Sequence, residues 1–145
     1  MMLAYELTDL AIGPFSVGVA SAEILARSAQ PVERFKREDE LFLSLHSAQL
    51  QLSLDASGTV QFIEAFEPLQ VTKEGQPLIG LNMSKIKALF GRDGLHRVMG
   101  SDMYICLKHG VAFQARSSKV FSVAVFRAGY YDGLPLEAIP TLKSR

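Results

Sequence analysis

The sequence has little cysteine, because Cys106 is the only one among its 145 residues. A chain with one cysteine cannot form an intramolecular disulfide, and it cannot build a zinc site from several thiolates. An excess of charge of either sign is also missing, since 15 Lys and Arg balance 15 Asp and Glu. Nucleic acid needs a basic surface that replaces its counterions, so this balance argues against a nucleic-acid partner.

Long hydrophobic runs are missing as well. No segment approaches the roughly 20 consecutive apolar residues that cross a bilayer. The first ten residues include Glu6 and Asp9 and lack the basic start and apolar stretch of a secretory leader. We therefore expect no membrane partner and a cytoplasmic location. The hydrophobic fraction of 48% is nevertheless ample for a folded core.

Two stretches of the chain, residues 13–26 and 75–91, follow one plan. Each has two glycines five positions apart, followed by apolar residues at helical spacing. In the second stretch Ser84 is predicted to cap the helix and Gly91 to end it in the left-handed conformation. The matched pairs, 62 positions apart, are Gly13 with Gly75, Gly18 with Gly80, Ile24 with Ile86, and Ala26 with Ala88.

Alternating apolar and polar residues predict antiparallel strands after each helix. The sequence thus predicts an α+β fold of two tandem repeats. Each repeat is a short helix plus an antiparallel three- to four-stranded meander, and the repeats join in one curved sheet with the helices on one face. The predicted units are residues 1–67 and 68–127, followed by a C-terminal tail, 128–145. The predicted strands are 3–12, 41–46, 50–54, 60–66, 103–107, 111–115 and 120–126.

One helix covers only one face of such a sheet, so the opposite face is expected to be open. Matching Tyr104 to Phe42 places both rings on this face among small polar side chains, which is typical of a binding surface. The alternative is that both rings pack beneath the charged runs 33–40 and 92–102, which are expected to be solvated loops. The predicted partner-binding residues are Phe42, Ser44, His46, Tyr104, Lys108, Lys36, Arg37, Arg92, Tyr130 and Tyr131.

No catalytic or metal-binding motif is evident. His46 and His109 end corresponding strands and Cys106 is close to one of them, but their spacing matches no known ligand pattern. A lone strand cysteine is usually a small buried apolar group, and a nucleophile needs an oriented base. The glycine pair at 75 and 80 lacks the Lys and Ser/Thr of a phosphate-binding loop. We therefore expect a protein that is not an enzyme and holds no cofactor or metal.

The second glycine–helix stretch resembles known families. Gly80 and Ser84, with Leu89 and Gly91 at the other end, are similar to the helix start and leucine–glycine stop of SmpA/OmlA-type domains. Two tandem copies of a capped helix and a meander resemble the β-lactamase inhibitor protein fold. The resemblance implies a continuous curved sheet whose concave face holds a partner protein. The turn at 55–59 has a position similar to that of an inhibitory hairpin tip.

Together these observations predict a non-catalytic protein-binding module, an inhibitor or immunity-type protein that docks on a toxin or enzyme. Two other functions are left open. One is a small-molecule-binding or enzymatic protein that uses the groove between the units, which a cluster of His46, His109 and Cys106 would favour. The other is a structural homodimer formed by pairing of exposed strand edges.

Overall fold

The computed structural model of the protein describes residues 4–27, 32–46 and 49–139. In these residues nine strands form an antiparallel sheet, which we call the large sheet. Its strands are β4 (Glu33–Arg37), β5 (Glu40–Leu45), β6 (Leu50–Leu54), β7 (Val60–Phe66), β10 (Leu95–Val98), β11 (Met103–Cys106), β12 (Val111–Arg116), β13 (Lys119–Phe126) and β14 (Leu136–Ala138). They lie in the order β14-β10-β11-β12-β13-β7-β6-β5-β4, so β14 and β4 are the two edges.

The remaining described strands form a five-stranded small sheet in the order β3-β2-β1-β8-β9. These strands are β1 (Ala4–Thr8), β2 (Ala11–Ile12), β3 (Phe15–Ser16), β8 (Gln70–Lys73) and β9 (Gln76–Pro77). The α-helices of the described residues are α1 (Ser21–Arg27) and α2 (Met83–Phe90), and a 3-10 helix, Gly91–Asp93, follows α2. Neither of these α-helices has the length and apolar character needed to cross a membrane.

The predicted α+β arrangement of helix-plus-meander repeats is wrong. Strands make up 52% of the structure and helical residues 12%, so the fold is mostly β. The first strand of each predicted unit instead lies outside the large sheet, and these two strands, β1 and β8, pair with each other in parallel. Glu6 stabilises this pairing, because its carboxylate accepts from the Thr72 hydroxyl at 2.7 Å and from the Glu74 N–H at 2.9 Å. Such pairing between segments far apart in the chain leaves no local signal in the sequence.

Both predicted glycine turns form links onto the large sheet. The Gly18 N–H donates to the Val60 carbonyl at 2.8 Å, and the Gly80 N–H donates to the Val120 carbonyl at 2.7 Å. Both glycines have positive φ, 92° and 89°, a region where a Cβ is disfavoured. The two turns thus match each other, but this match does not test the division of the chain into units 1–67 and 68–127, which stays a prediction.

The start of α2 differs from the sequence prediction by two residues, and its C-terminal residue differs in conformation. The cap is Asn82, whose side-chain oxygen accepts from the Ser84 N–H at 2.9 Å. Gly91 has an ordinary helical φ of −60°, because the chain continues into the 3-10 helix. The left-handed residue is Gly94, with φ 78°. Gly91 is therefore the C-cap of α2, as predicted, but the prediction that it is left-handed is wrong.

The main core lies on the face of the large sheet that contacts the helices and the small sheet. Ile24 of α1 and Ile86 and Phe90 of α2 pack there with Ile12 and Val71 of the small sheet. A second apolar cluster lies on the opposite face of the large sheet and includes aromatic side chains. Because both faces are covered over much of their area, many strands read as nearly continuous apolar runs.

Candidate binding surface

We call the face of the large sheet that points away from the helices the outer face. Residues paired across neighbouring strands share a face, so the register identifies its members. Phe42 pairs with Ser53, and Ser53 pairs with Phe62. Glu64 lies two residues after Phe62 on the same face and pairs with Ala124. The outer face thus combines aromatic, small and polar side chains, as expected for Phe42 and Ser44.

Tyr104 lies on the other face, contrary to the prediction. It pairs with Phe113, a fully buried residue of the main core. The Lys87 ammonium lies 5.4 Å from the Tyr104 ring centroid, beside α2. The matching of Tyr104 to Phe42 fails, because a displacement of one residue moves a strand side chain to the opposite face. Cys106, two residues further on, belongs to the same main core.

The segment after β13 covers the centre of the outer face. The Tyr130 ring stacks on Phe62 with centroids 4.7 Å apart, and the Tyr131 ring meets Phe126 edge-on at 4.7 Å. The strand β14 then pairs with β10 at the edge of the sheet. The expectation of an open concave face is wrong in this central part, and the two tail tyrosines fill it.

Glu64 is a buried carboxyl group beneath this aromatic cover. It is 9% exposed, and its carboxylate accepts from the Gln114 amide at 2.7 Å and from the Ser122 hydroxyl at 2.8 Å. Burial raises the pKa of Glu64, although both hydrogen bonds oppose the rise. The group joins β7, β12 and β13 in one polar contact.

A second carboxylate ties the tail to the β5 strand. The Tyr130 hydroxyl donates to Glu40 at 2.5 Å, and the Ser53 hydroxyl donates to the same oxygen of Glu40. Burial is the main cause that raises the pKa of Tyr130, and the Glu40 carboxylate adds to it. The phenol therefore remains a hydrogen-bond donor at neutral pH.

The β4 end of the outer face is the part that stays open. The run 33–40, expected to be a loop, forms β4 and its turn into β5, with four of its five β4 residues exposed. Phe35 stacks on Phe42 with centroids 5.2 Å apart and planes 8° from parallel. The Arg37 guanidinium lies 5.7 Å and 5.1 Å from these two ring centroids. Lys36, which lies between Phe35 and Arg37 in the sequence, is exposed. A basic aromatic stack therefore borders a sheet edge.

The other predicted residues are scattered. Ser44 is buried at 6% exposure, beside the stack on β5. His46 is hydrogen-bonded to the Tyr5 hydroxyl at 2.7 Å, and burial lowers the pKa of His46. Lys108 is exposed and pairs with Asp93 at 3.4 Å. The side chain of Arg92 lies outside the described part of the structure.

The histidines and the cysteine do not form a shared site. His109 pairs with the Asp93 carboxylate at 2.9 Å, and the Cys106 thiol donates to the Asp93 backbone oxygen at 3.4 Å. His46 has its own partner in Tyr5. Burial raises the pKa of the Cys106 thiol, which disfavours the reactive thiolate. The described residues include no group of three or more His, Cys, Asp and Glu side chains able to hold a metal ion.

Two cavities lie apart from the outer-face stack. One, of about 540 Å³, lies beside the start of α2 and is lined by residues including Asn82, Lys87, Asp102 and Tyr104. The other, of about 310 Å³, lies where three turns meet, and its lining includes Leu10, Leu107, His109, Gly110, Phe126 and Asp132. Gly110 is required there, because a Cβ would stand 2.8 Å from the Phe126 backbone oxygen.

Sequence reasoning missed Arg34, Phe35 and Glu64. The signal for the first two was weak, because Glu33–Arg37 holds one aromatic residue among four charged ones and shows no alternation with the period of a strand. The signal for Glu64 was a lone carboxylate in an apolar strand, which is expensive to bury without donors. Both patterns are local, and neither reveals which strands lie alongside.

Comparison with known proteins found no matching family, and neither the curated proteins nor the solved structures contain a match.

Proposed function

We propose that this protein is a non-catalytic protein-binding module of the inhibitor or immunity type, which docks on a toxin or enzyme through the β4 end of the large sheet. The observation that supports this proposal is the stack at an open sheet edge, in which the exposed Arg37 lies over the half-buried Phe35 and the buried Phe42. Arginine and aromatic residues are enriched at the energetic centres of protein interfaces.

The rigidity of the stack also supports the proposal. Phe42 lies on β5, which is held on both sides because it pairs with both β4 and β6. A guanidinium held over two rings loses little conformational freedom when a partner covers it, and low ordering cost favours affinity. The inhibitor or immunity type rests on the sequence, which has balanced charge and no evident catalytic motif.

The test is affinity capture from a lysate of the source cell with three tagged baits. These are the wild-type chain, the double variant Lys36→Ala/Arg37→Ala, and the control Lys85→Ala/Lys119→Ala, which removes two exposed lysines elsewhere. We expect one protein in stoichiometric amount with the wild type and the control, and at least a tenfold lower yield with the β4 variant. Equal recovery with all three baits, or recovery of the bait alone, would contradict the proposal.

The alternative of a small-molecule or enzymatic protein receives no support from the histidines and Cys106, since they do not form one cluster. The homodimer alternative would pair two copies of the chain through the same β4 edge. The basic residues along that edge oppose such pairing.

A further inference from the structure

β4 is the last strand of the large sheet, so the backbone N–H and C=O groups on its side away from β5 pair with no described strand. A two-residue turn at Glu38 and Asp39 joins β4 to β5, so Arg37 and Glu40 close the hairpin. Residues in an antiparallel pair alternate between bonding to the partner and pointing away from it. Arg37, Phe35 and Glu33 thus bond to β5, whereas the N–H and C=O of Arg34 and Lys36 point outward.

The two outward-pointing residues are both basic and both exposed. Their side chains lie on the helix side of the sheet, because they pair with Leu43 and Leu41, whereas Phe35 lies on the outer face. A strand added at this edge therefore meets cations at every second position on one side. On the other side it meets the Phe35 ring, which lies between Glu33 and Arg37.

A second copy of the chain fits this edge poorly. Two-fold pairing of β4 with itself is antiparallel and brings outward-pointing residues opposite one another. When these two residues of each copy overlap, a basic residue of one copy, Arg34 or Lys36, lies opposite a basic residue of the other. Like charges directly opposite destabilise a strand pair, so the edge disfavours self-association.

We propose that the edge of β4 binds an extended acidic segment of a partner protein, which adds to the large sheet as a further antiparallel strand. This inference rests on the proposed function and specifies the chemistry of the partner. Acidic residues of the segment lie opposite Arg34 and Lys36, and the residue between them is apolar and packs beside Phe35. The backbone supplies the hydrogen bonds, and the alternating side chains supply the selectivity.

The probe is a fluorescent eight-residue peptide of alternating glutamate and valine, and its binding to the full chain is measured by anisotropy. We expect saturable binding that weakens severalfold when ionic strength increases from 50 to 500 mM, because exposed charges are screened. A peptide with lysine in place of glutamate is expected to show no binding. The oligomeric state, measured by light scattering, is expected to be a monomer without the peptide.

Backbone methylation separates strand addition from simple charge attraction. In the proposed complex the glutamate N–H groups donate to β4, and the valine N–H groups point away. Methylating the glutamate nitrogens is expected to weaken binding at least tenfold, whereas methylating the valine nitrogens changes it less than threefold. Equal effects of the two methylations would overturn strand addition.

Protein variants test the same edge from the other side. Arg34→Glu/Lys36→Glu is expected to weaken binding at least tenfold, and the control Lys85→Glu to leave it unchanged. Lys36→Pro removes an outward N–H and no ladder bond, so it is expected to bind more weakly than Lys36→Gln while remaining folded by circular dichroism.

The outcomes distinguish this inference from the proposed function. Failure of the glutamate–valine peptide, together with capture of a partner that depends on Lys36 and Arg37, would reject the acidic strand and leave the docking surface. Failure of both experiments would reject both. A dimer that dissociates in the Arg34→Glu/Lys36→Glu variant would show that a second copy occupies the edge and would overturn the inference.

Discussion

Replacing Tyr131 by alanine is expected to uncover the centre of the outer face. The ring is largely buried and contacts Phe126 at 4.7 Å, Tyr130 at 5.0 Å and Phe62 at 6.1 Å between centroids. Its truncation exposes on the order of 100 Å² of apolar surface, worth about 2.5 kcal/mol, and the ring pairs add about 0.5–1.5 kcal/mol. We expect the free energy of unfolding to fall by about 3 kcal/mol.

The assay is urea unfolding followed by circular dichroism, with the midpoint and slope fitted for each variant. Tyr131→Phe retains the ring and is expected to stay within about 1 kcal/mol of the wild type. Leu134→Ala is the matched control in the same segment, because Leu134 is 39% exposed, and it is expected to cost less than about 1 kcal/mol. A loss below about 1 kcal/mol in Tyr131→Ala would refute the reasoning, since the tail would then not hold the outer face.

Three further predictions concern buried groups. Because the folded-state pKa of Glu64 lies above its usual 4.5, its stabilising contribution is complete below that pH and is lost as the pH rises through the folded-state pKa. Urea unfolding between pH 4 and pH 9 should therefore show that Glu64→Gln gains stability relative to the wild type as the pH rises, by about 1.4 kcal/mol per tenfold change in proton affinity; no gain over this range would contradict the burial of this carboxyl group. Gly110→Ala is expected to lower the free energy of unfolding by about 2 kcal/mol more than Gly75→Ala, because both have positive φ but only the former meets atoms within 3 Å; equal losses would contradict the packing. Native Cys106 is expected to resist iodoacetamide, measured by mass spectrometry, and to react fully in urea, since it is buried and burial raises its pKa; rapid native labelling would be inconsistent with this burial.

Strand positions were predictable where residues alternate, but the runs 33–40 and 92–102, expected to be loops, hold β4 and β10. Strand partners were not predictable. The alternation in 50–54, 60–66 and 120–126 identifies β6, β7 and β13 with small errors at their ends. Period-two alternation is local, because neighbouring side chains point to opposite faces whatever lies beside them. The turn glycines Gly18 and Gly80 were found for the same reason, since positive φ is a property of single residues.

The binding residues were predictable only where the strand phase was correct. Phe42 was placed on the outer face correctly, but Tyr104 was assigned to it through a match that is wrong by one residue. Arg37 was selected, yet its stacking on two rings depends on the β4–β5 register. Phase errors of this kind are hidden in the sequence, because a core strand is apolar on both faces.

The sequence by itself determined the strands whose residues alternate, the two short helices, the glycine turns before them, and that Cys106 cannot form an intramolecular disulfide. Only the tertiary structure decided that β1 pairs with β8 outside the large sheet, that Tyr130 and Tyr131 cover the outer face, and that β4 is left as an open basic edge. The physical reason is one of range. Backbone conformation follows from each residue and its neighbours, whereas pairing depends on contacts between segments that are far apart in the chain, and their energies are decided by packing in the whole fold.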